Sequence, residues 1–250
     1  MSDEGFYGAD LAAVHHAGFG ELAAQAADLL IASLRAAGHA GGVVADLGCG
    51  SGLLAKALAA VGYGVVGVDV SAAMLELARA QAPGATFVRG SLFDVELPRS
   101  SVAVAAVGEA LNYAVDERAG PEGFEGLLGR VREALAPGGV FLFDVATPGR
   151  YGRGGVGQVF HDRPGWALVM RARESVDGQT LHRHITLFRD AGGGLYRRSD
   201  EHHRLRLFDP GRVTKALKRA GFGVEVRDRY DASSRSRAPS GWHIFVAKKA

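Results

Sequence analysis

The chain has 250 residues, 47% of them hydrophobic, which suits one large domain or a domain with an insertion. Its formal net charge is only +2 and its Lys and Arg residues are scattered, so no basic stripe predicts a nucleic-acid partner. The single cysteine excludes an internal disulfide bond. The sequence has no run of ~20 apolar residues and no secretory signal at Met1. We therefore expect a cytoplasmic protein.

A glycine-rich turn, GCGSG at residues 48–52, is the strongest local feature of the sequence. Two helices predicted over residues 6–38 and a strand predicted over 42–46 precede it, and the periodicity after it predicts a helix from Leu53. Alternating glycines let the backbone turn sharply and leave no Cβ where a ligand lies against the chain. The helix points its free N–H groups at the same place, as in nucleoside-binding α/β sheets.

The acidic residues around this turn distinguish between nucleosides. A nicotinamide dinucleotide site requires Gly-x-Gly-x-x-Gly, whereas here the glycines alternate and Asp46 stands two residues before the first. A carboxylate there repels a pyrophosphate but suits a ligand that carries an ammonium group. The second predicted strand, 64–69, ends in Asp69, which is placed to accept hydrogen bonds from both ribose hydroxyls. Ser71 then caps a helix that contains residues 74–78.

The rest of the core alternates between strands and helices, which predicts a mostly parallel sheet with right-handed crossovers. The predicted elements are strands at 86–89, 101–107 and 140–144, a helix near 121–135, a helix at 213–220 opened by Asp209-Pro210, final strands near 223–230 and 242–248, and a loop at 233–240.

The pattern changes near residue 150, where β-rich stretches follow one another without helices. These predicted strands, 166–173, 182–188 and 195–208, are separated by hairpin signals at Asp177-Gly178 and at the glycines 192–194. The sequence therefore predicts a small antiparallel insertion before the last helix.

Four segments, in order and at the expected intervals, resemble the class I S-adenosylmethionine-dependent methyltransferases, in particular their small-molecule branch. They are DLGCGSG (46–52), GVDVS (67–71), FVRGSLFD (87–94) and LAPGGVFLFD (135–144). The resemblance is strong over residues 40–145 and looser elsewhere. It implies S-adenosyl-L-methionine as the cofactor and an α/β fold: a doubly wound, Rossmann-like, seven-stranded, mostly parallel sheet with an N-terminal helical cap and a small antiparallel β insertion after strand five.

The expected organisation is a helical cap over 1–39, a cofactor-binding core over 40–149, an insertion that acts as a substrate lid over 150–208, and the last helix and two strands over 209–250. The resemblance also implies, position by position, which residues contact the cofactor. At Ser91 an aspartate is common in the family, and a hydroxyl can still hydrogen-bond at the adenine edge. The implied contacts are Asp46, Gly48, Cys49, Gly50, Gly52, Asp69, Val70, Met74, Ser91, Leu92, Gly108 and Glu109.

Methyl transfer from a sulfonium is an in-line displacement, and it needs a base only when the acceptor starts protonated. Histidine is the natural base, and we favour His203, because Glu201 shares its strand face, and His15 on the N-terminal helix. Glu109, at the tip of strand four, is a third catalytic candidate. The residues expected to contact the acceptor are Tyr7, His15, Phe19, Asn112, Tyr113, Glu201 and His203.

A metal site is not predicted, because the chain has no second cysteine and no His-Glu-x-x-His helix, and Asp144 at the tip of strand five is one acid only. We therefore predict methyl transfer to an oxygen or nitrogen of a small-molecule acceptor. No nucleic-acid or membrane partner is expected, and a homodimer is compatible with the sequence. The alternatives left open are a tRNA or protein methyltransferase, an NAD(P)-dependent oxidoreductase, and a cofactor-binding protein without catalysis.

Overall fold

The computed structural model describes residues 6–152, 154–231 and 240–250. Its strands, in chain order, are β1 (Gly42–Leu47), β2 (Tyr63–Asp69), β3 (Thr86–Arg89), β4 (Ser101–Ala106), β5 (Leu135–Ala146), β6 (Val156–Arg163), β7 (Trp166–Glu174), β8 (Thr180–Gly192), β9 (Leu195–Arg206), β10 (Phe222–Arg227) and β11 (Trp242–Lys249). The helices are α1 (Ala9–Gly18), α2 (Gly20–Ala36), α3 (Leu53–Ala60), α4 (Ala72–Gln81), α5 (Pro121–Ala134) and α6 (Pro210–Arg219).

Seven strands form the core sheet in the order β10-β11-β5-β4-β1-β2-β3. All neighbouring strands are parallel except β11, which runs antiparallel to both β5 and β10. The strand order reverses between β1 and β4, and ligands of open α/β sheets bind at the carboxyl ends of the strands at such a point. The predicted doubly wound, seven-stranded, mostly parallel sheet is confirmed.

The centre of the sheet is apolar on both faces, because helices cover both of its sides. Every residue of β4 is buried, and its alternate side chains enter two different clusters. Val104 packs with the clustered residues of α5 and α6, whereas Ala103 packs with those of α2 and α3. This two-sided core fixes the positions of the strand ends, where the polar residues of interest lie.

The insertion is a four-stranded antiparallel sheet in the order β6-β7-β8-β9. Its inner face joins α1 through a small cluster in which Leu168, Ile185 and Leu187 pack with Leu11 and Val14. The hairpins form at both predicted turns. The edge strand β6 was not predicted, because none of its residues is buried and its alternation between apolar and polar residues is weak.

The boundary of β5 differs from the sequence prediction, and one predicted loop is not described by the structure. Strand β5 begins at Leu135 instead of residue 140, so it includes the Pro137-Gly138-Gly139 turn, and its pairing with β4 shifts register between Ser101 and Ala103. The loop predicted at 233–240 lies outside the described residues except for Ser240. Among the helices that the structure describes, none is long and apolar enough to cross a membrane.

Candidate active site

A cavity of about 730 Å³ lies between the carboxyl ends of the core strands and the inner face of the antiparallel sheet. The glycine turn and the ends of β2 and β4 line one side, and Leu168, Met170 and Ile185 line the other. Phe6 and Tyr7, just before α1, close a third side. A cleft of this size suits a cofactor together with a small second molecule.

Two glycines of the turn are packed so closely that no side chain fits. A Cβ on Gly52 would lie 2.8 Å from the Cα of Ala78 in α4, and a Cβ on Gly48 would lie 2.6 Å from the Cβ of Ala110. Both have positive φ angles, 76° and 73°, which glycine adopts without strain. These contacts fix the turn against α4 and the segment after β4, and Gly48 and Gly50 of the turn line the cavity.

Asp69, at the end of β2, fixes the turn to the start of α4. Its Oδ2 accepts a hydrogen bond from the N–H of Gly50 at 2.9 Å, and its Oδ1 accepts one from the N–H of Ser71 at 2.9 Å. Ser71 is the N-cap of α4, as predicted, and its Oγ accepts from the N–H of Met74 at 3.1 Å. The carboxylate thus has a fixed position on the cavity wall, where it suits a ribose.

Asp46 is the clearest indication that the site takes a cationic group. Its side chain is 1% exposed, and its Oδ2 has no hydrogen-bond partner among the described residues. Burial, and then the nearby charge of Asp69, raise its pKa to about 7. A ligand ammonium group would satisfy this oxygen and stabilise the charged carboxylate, so the residues fit the amino group of S-adenosylmethionine.

Cys49 lies in the same turn and is also buried. Burial, followed by the charges of Asp46 and Asp69, raises the pKa of its thiol well above the usual value. A protonated thiol is a poor nucleophile, so Cys49 acts as a small residue in a tight turn rather than as a reactive group.

Ser91, which follows β3, lies beside a carboxylate from another segment of the chain. Its Oγ donates to Oδ2 of Asp116, from the segment between β4 and α5, and both residues line the cavity. The hydrogen bonds of Arg118 lower the pKa of Asp116 to about 2, so this carboxylate is charged at neutral pH. An acid from another segment therefore lies beside position 91, where an aspartate is common in the resembled family.

Asp144, at the end of β5, holds the turn that follows β4. It is fully buried and accepts hydrogen bonds from the N–H groups of Gly108 (2.8 Å) and Glu109 (2.6 Å). The Tyr230 hydroxyl (2.6 Å) and the Trp242 indole (3.1 Å) also donate to it. Burial raises its pKa to about 6, even though these donors favour the charged form. Asp144 is thus a structural anchor for residues 108–109.

The anchored turn presents Glu109 to two arginines of the cavity wall. Oε1 lies 2.6 Å from Nη1 of Arg150, and Oε2 lies 2.6 Å from Nη2 of Arg183. Burial alone would raise the pKa of Glu109, but the two guanidinium groups outweigh it and hold the pKa below its usual value. A carboxylate that is paired on both oxygens is a poor proton acceptor, so its position suits binding rather than general base catalysis.

His203 and Glu201 meet as their spacing on one strand predicted. His203 Nε2 lies 2.8 Å from Oε2 of Glu201, and His203 is 3% exposed. Glu201 also accepts the N–H groups of Tyr7 (2.8 Å) and Gly8 (2.9 Å). A carboxylate only accepts, so Nε2 carries a proton, and in the neutral imidazole the lone pair is on Nδ1. That Nδ1 is buried without a partner among the described residues.

His15, the other candidate base, also lines the cavity, stacked on Phe19 and edge-on to Tyr7. Burial, followed by the charges of His16 and His203, lowers its pKa to about 4, so it is neutral at physiological pH. His16 points elsewhere and hydrogen-bonds Oγ of Ser51 at 3.0 Å.

Most of the residues singled out from the sequence line this one cavity, but Gly52, Glu201 and Asn112 do not. Gly52 packs against Ala78 of α4, and Glu201 contacts the cavity residue His203. Asn112 was predicted to contact the acceptor. Its amide is fully buried, accepting from the N–H of Ala146 and donating to the carbonyls of Ala146 and Arg206. It therefore joins the core to the antiparallel sheet instead of contacting an acceptor. The candidates that do line the cavity are Tyr7, His15, Phe19, Asp46, Gly48, Cys49, Gly50, Asp69, Val70, Met74, Ser91, Leu92, Gly108, Glu109, Tyr113 and His203.

Sequence reasoning missed Arg183 and Arg150. For Arg183 there was a usable signal, because its position alternates with His182 and His184 and shares a strand face with Leu181 and Ile185. An arginine on the apolar face of an alternating strand indicates a special role. Arg150 follows β5 in a segment without periodicity, so its sequence context gave no such indication.

The sheet order, the glycine turn and the two acids at the ends of β1 and β2 define a Rossmann-like nucleoside-binding enzyme. Residues 44–139 match the family model of the methyltransferase domain. The chain is 29% identical over 221 residues to a putative methyltransferase of Geobacillus sp. (strain WCH70), over 82% of this chain and 84% of that protein. It is also 40% identical over 116 residues to trans-aconitate 2-methyltransferase of Paracidovorax citrulli, over 45% of this chain and 40% of that protein.

Solved structures agree with this assignment. The CcbJ methyltransferase from Streptomyces caelestis has a TM-score of 0.75 at 25% identity, covering 100% of both chains. Streptomyces venezuelae DesVI has a TM-score of 0.75 at 24% identity, covering 97% of this chain and 98% of that one, and supports the fold. The matched methyltransferase domain, the related methyltransferases and the solved structures together support an S-adenosylmethionine-dependent methyltransferase.

Proposed function

We propose that this methyltransferase acts on an oxygen or nitrogen of a small-molecule acceptor. The observation that carries the proposal is the cavity itself, with the nucleoside-binding edge of the core on one side and the His203–Glu201 pair on the other. Its walls are formed within one chain and its volume suits a compact molecule. The names of similar proteins are consistent with a small-molecule acceptor. One relative is a trans-aconitate methyltransferase, and one similar solved structure is an amino pentose methyltransferase.

The core side of the cavity would hold the cofactor. Asp46 is suited to its ammonium group, Asp69 to its ribose hydroxyls, and the glycine turn to close approach of the backbone. When bound, S-adenosylmethionine supplies a methyl group on a positively charged sulfur. The chain must therefore orient the acceptor and exclude water between the two molecules.

The lid side of the cavity would orient the acceptor and take its proton. His203 offers a buried Nδ1 with a free lone pair, and Glu201 stabilises the imidazolium that forms when this nitrogen is protonated. Burial raises the pKa of both Tyr7 and Tyr113, so their hydroxyls stay protonated. One hydroxyl donates to the other at 3.0 Å, which leaves one hydroxyl proton for the acceptor. The apolar side chains of Phe6 and Met170 help to exclude water.

A methyl-transfer assay over a panel of small hydroxyl and amino compounds tests this proposal. The readout is formation of S-adenosylhomocysteine, with binding of S-adenosylmethionine measured separately by calorimetry. We expect turnover by H203A to fall about 100- to 10,000-fold with cofactor affinity unchanged, because a general base contributes about this much. H202A is the matched control, since His202 lies on the outer face of the same strand.

Two results would contradict the assignment. Equal turnover by the H203A variant and the unchanged protein would remove His203 as the proton acceptor. Turnover confined to a tRNA or protein substrate, with none on the small-molecule panel, would replace the proposed acceptor class.

A further inference from the structure

The buried cluster of Glu109, Arg150 and Arg183 carries more positive than negative charge. Each guanidinium pairs with a different oxygen of the single carboxylate, at 2.6 Å in both cases. The side chains of Arg183 and Glu109 are 10% and 9% exposed, and that of Arg150 is 21% exposed. All three residues line the cavity, so one surplus positive charge faces its interior.

Arg183 also has hydrogen-bonding capacity that the described chain does not use. Its Nη1 donates to the Tyr113 hydroxyl at 3.3 Å and its Nη2 to Glu109. Its Nε is buried without a partner among the described residues. The Tyr7 and Tyr113 hydroxyls stay protonated and add no negative charge. The Glu201 carboxylate is negative, but its two oxygens accept hydrogen bonds from His203 and from the N–H groups of Tyr7 and Gly8. A buried guanidinium N–H left unpaired is costly, and an oxyanion would satisfy it.

The backbone around the cluster is arranged at a cost to the fold. Glu109 has a φ of 63°, a left-handed conformation that is strained for a residue with a side chain. Two hydrogen bonds, donated by the N–H groups of Gly108 and Glu109 to Asp144, maintain it. Buried ion pairs contribute little net stability compared with apolar packing. Strain and a surplus arginine together are therefore better explained by a ligand than by stability.

We infer that the acceptor carries an anionic oxyanion group, a carboxylate or a phosphate, which Arg183 and Arg150 bind beside the reacting centre. This rests on the proposed function, since it concerns the acceptor of that reaction. A guanidinium group can donate two parallel hydrogen bonds to a carboxylate or a phosphate, and this geometry gives orientation as well as affinity. The bound anion is distinct from the nucleophile, which faces His203.

The strand register specifies how far apart the anionic group and the nucleophile of the acceptor lie. Arg183 of β8 and His203 of β9 are direct cross-strand partners on the inner face of the antiparallel sheet. Side chains in such pairs start about 5 Å apart at Cβ. The nucleophile of the acceptor therefore lies only a few bonds from its anionic group. The same register places the arginine on the antiparallel sheet beside His203, and not on the core strands that carry the glycine turn, which favours the acceptor over the cofactor as the source of the anion.

The test uses the full-length protein saturated with S-adenosylhomocysteine and three pairs of probes. These are succinate with succinamide, trans-aconitate with its trimethyl ester, and glucose 1-phosphate with glucose, with binding measured by calorimetry and thermal shift. We expect anionic probes to bind and their neutral counterparts to bind at least tenfold more weakly, and the better of the acid and phosphate arms identifies the anion.

Variants then assign the binding to the cluster. R183M should weaken anion binding roughly 10- to 100-fold, the effect of losing charge-assisted hydrogen bonds, with affinity for S-adenosylhomocysteine retained. R150M, at a more exposed position, gives the same test if R183M fails to fold. R204M is the matched control, because Arg204 follows His203 on the opposite face of β9 and is exposed.

Three outcomes would overturn the inference. They are binding of no anionic probe by the saturated protein, equal binding of acids and amides, and unchanged anion binding by both variants. A fourth outcome uses methylthioadenosine, which lacks the amino-acid part of the cofactor. If R183M weakens binding of S-adenosylhomocysteine but not of methylthioadenosine, the arginines bind the cofactor carboxylate, and the inference is also wrong. Loss of cofactor binding by the unchanged protein would instead count against the proposed function.

Discussion

The buried Asp46 should make cofactor affinity depend strongly on pH. Its pKa is about 7 without a ligand, and the ammonium group of S-adenosylmethionine requires the charged carboxylate, so binding releases a proton below pH 7. With one ionisation near pH 7, the charged fraction falls from about three quarters at pH 7.5 to about 3% at pH 5.5. We therefore expect affinity to fall about 25-fold, or about 2 kcal/mol, over this range.

The assay is calorimetric titration with S-adenosylmethionine at pH 5.5, 6.5 and 7.5, in two buffers with different heats of ionisation so that proton release is counted directly. The D46N variant cannot ionise at this position, so it should bind at every pH about as weakly as the unchanged protein does at pH 5.5. A dissociation constant of the unchanged protein that stays level across this range would refute the reasoning. So would a D46N variant that keeps the full pH dependence.

Three further substitutions probe the anchors of the site. D69A should weaken cofactor affinity by about 1–2 kcal/mol, because a carboxylate that accepts ribose hydrogen bonds is lost, and an unchanged dissociation constant would remove Asp69 from the site. D144A should lower the free energy of unfolding by about 3–5 kcal/mol in urea titrations, since it leaves four buried donors unpaired, whereas Y230F should cost about 1 kcal/mol. Equal losses in the D144A and Y230F variants would contradict the role of Asp144 as an anchor.

The core elements were predictable because local and global signals agree there. The strand ending at Asp69 and the helix capped by Ser71 each have a periodic pattern, a boundary residue and a place in one alternating order. The pair Glu201 and His203 was predictable for a similar reason, since it depends only on the two-residue period of a strand. Short-range rules are sufficient for such features.

Features that depend on distant segments were not predictable. Glu109 pairs with arginines 41 and 74 residues further along the chain, and no local pattern indicates which charges meet. Asn112 shows the same limit in a prediction that was wrong. Its polar side chain near a strand end suggested an acceptor contact, but the fold brings the backbone of β5 and β9 to its amide.

The segment formed by residues 6–8 joins both halves of the molecule across the cavity. The carbonyl of Tyr7 accepts a hydrogen bond from Ser71 at the start of α4, while the N–H groups of Tyr7 and Gly8 donate to Glu201 in the antiparallel sheet. Lifting this segment breaks all three bonds together and also frees the carboxylate that orients His203. The N-terminal segment and the imidazole of His203 are therefore both held in place through one carboxylate, that of Glu201.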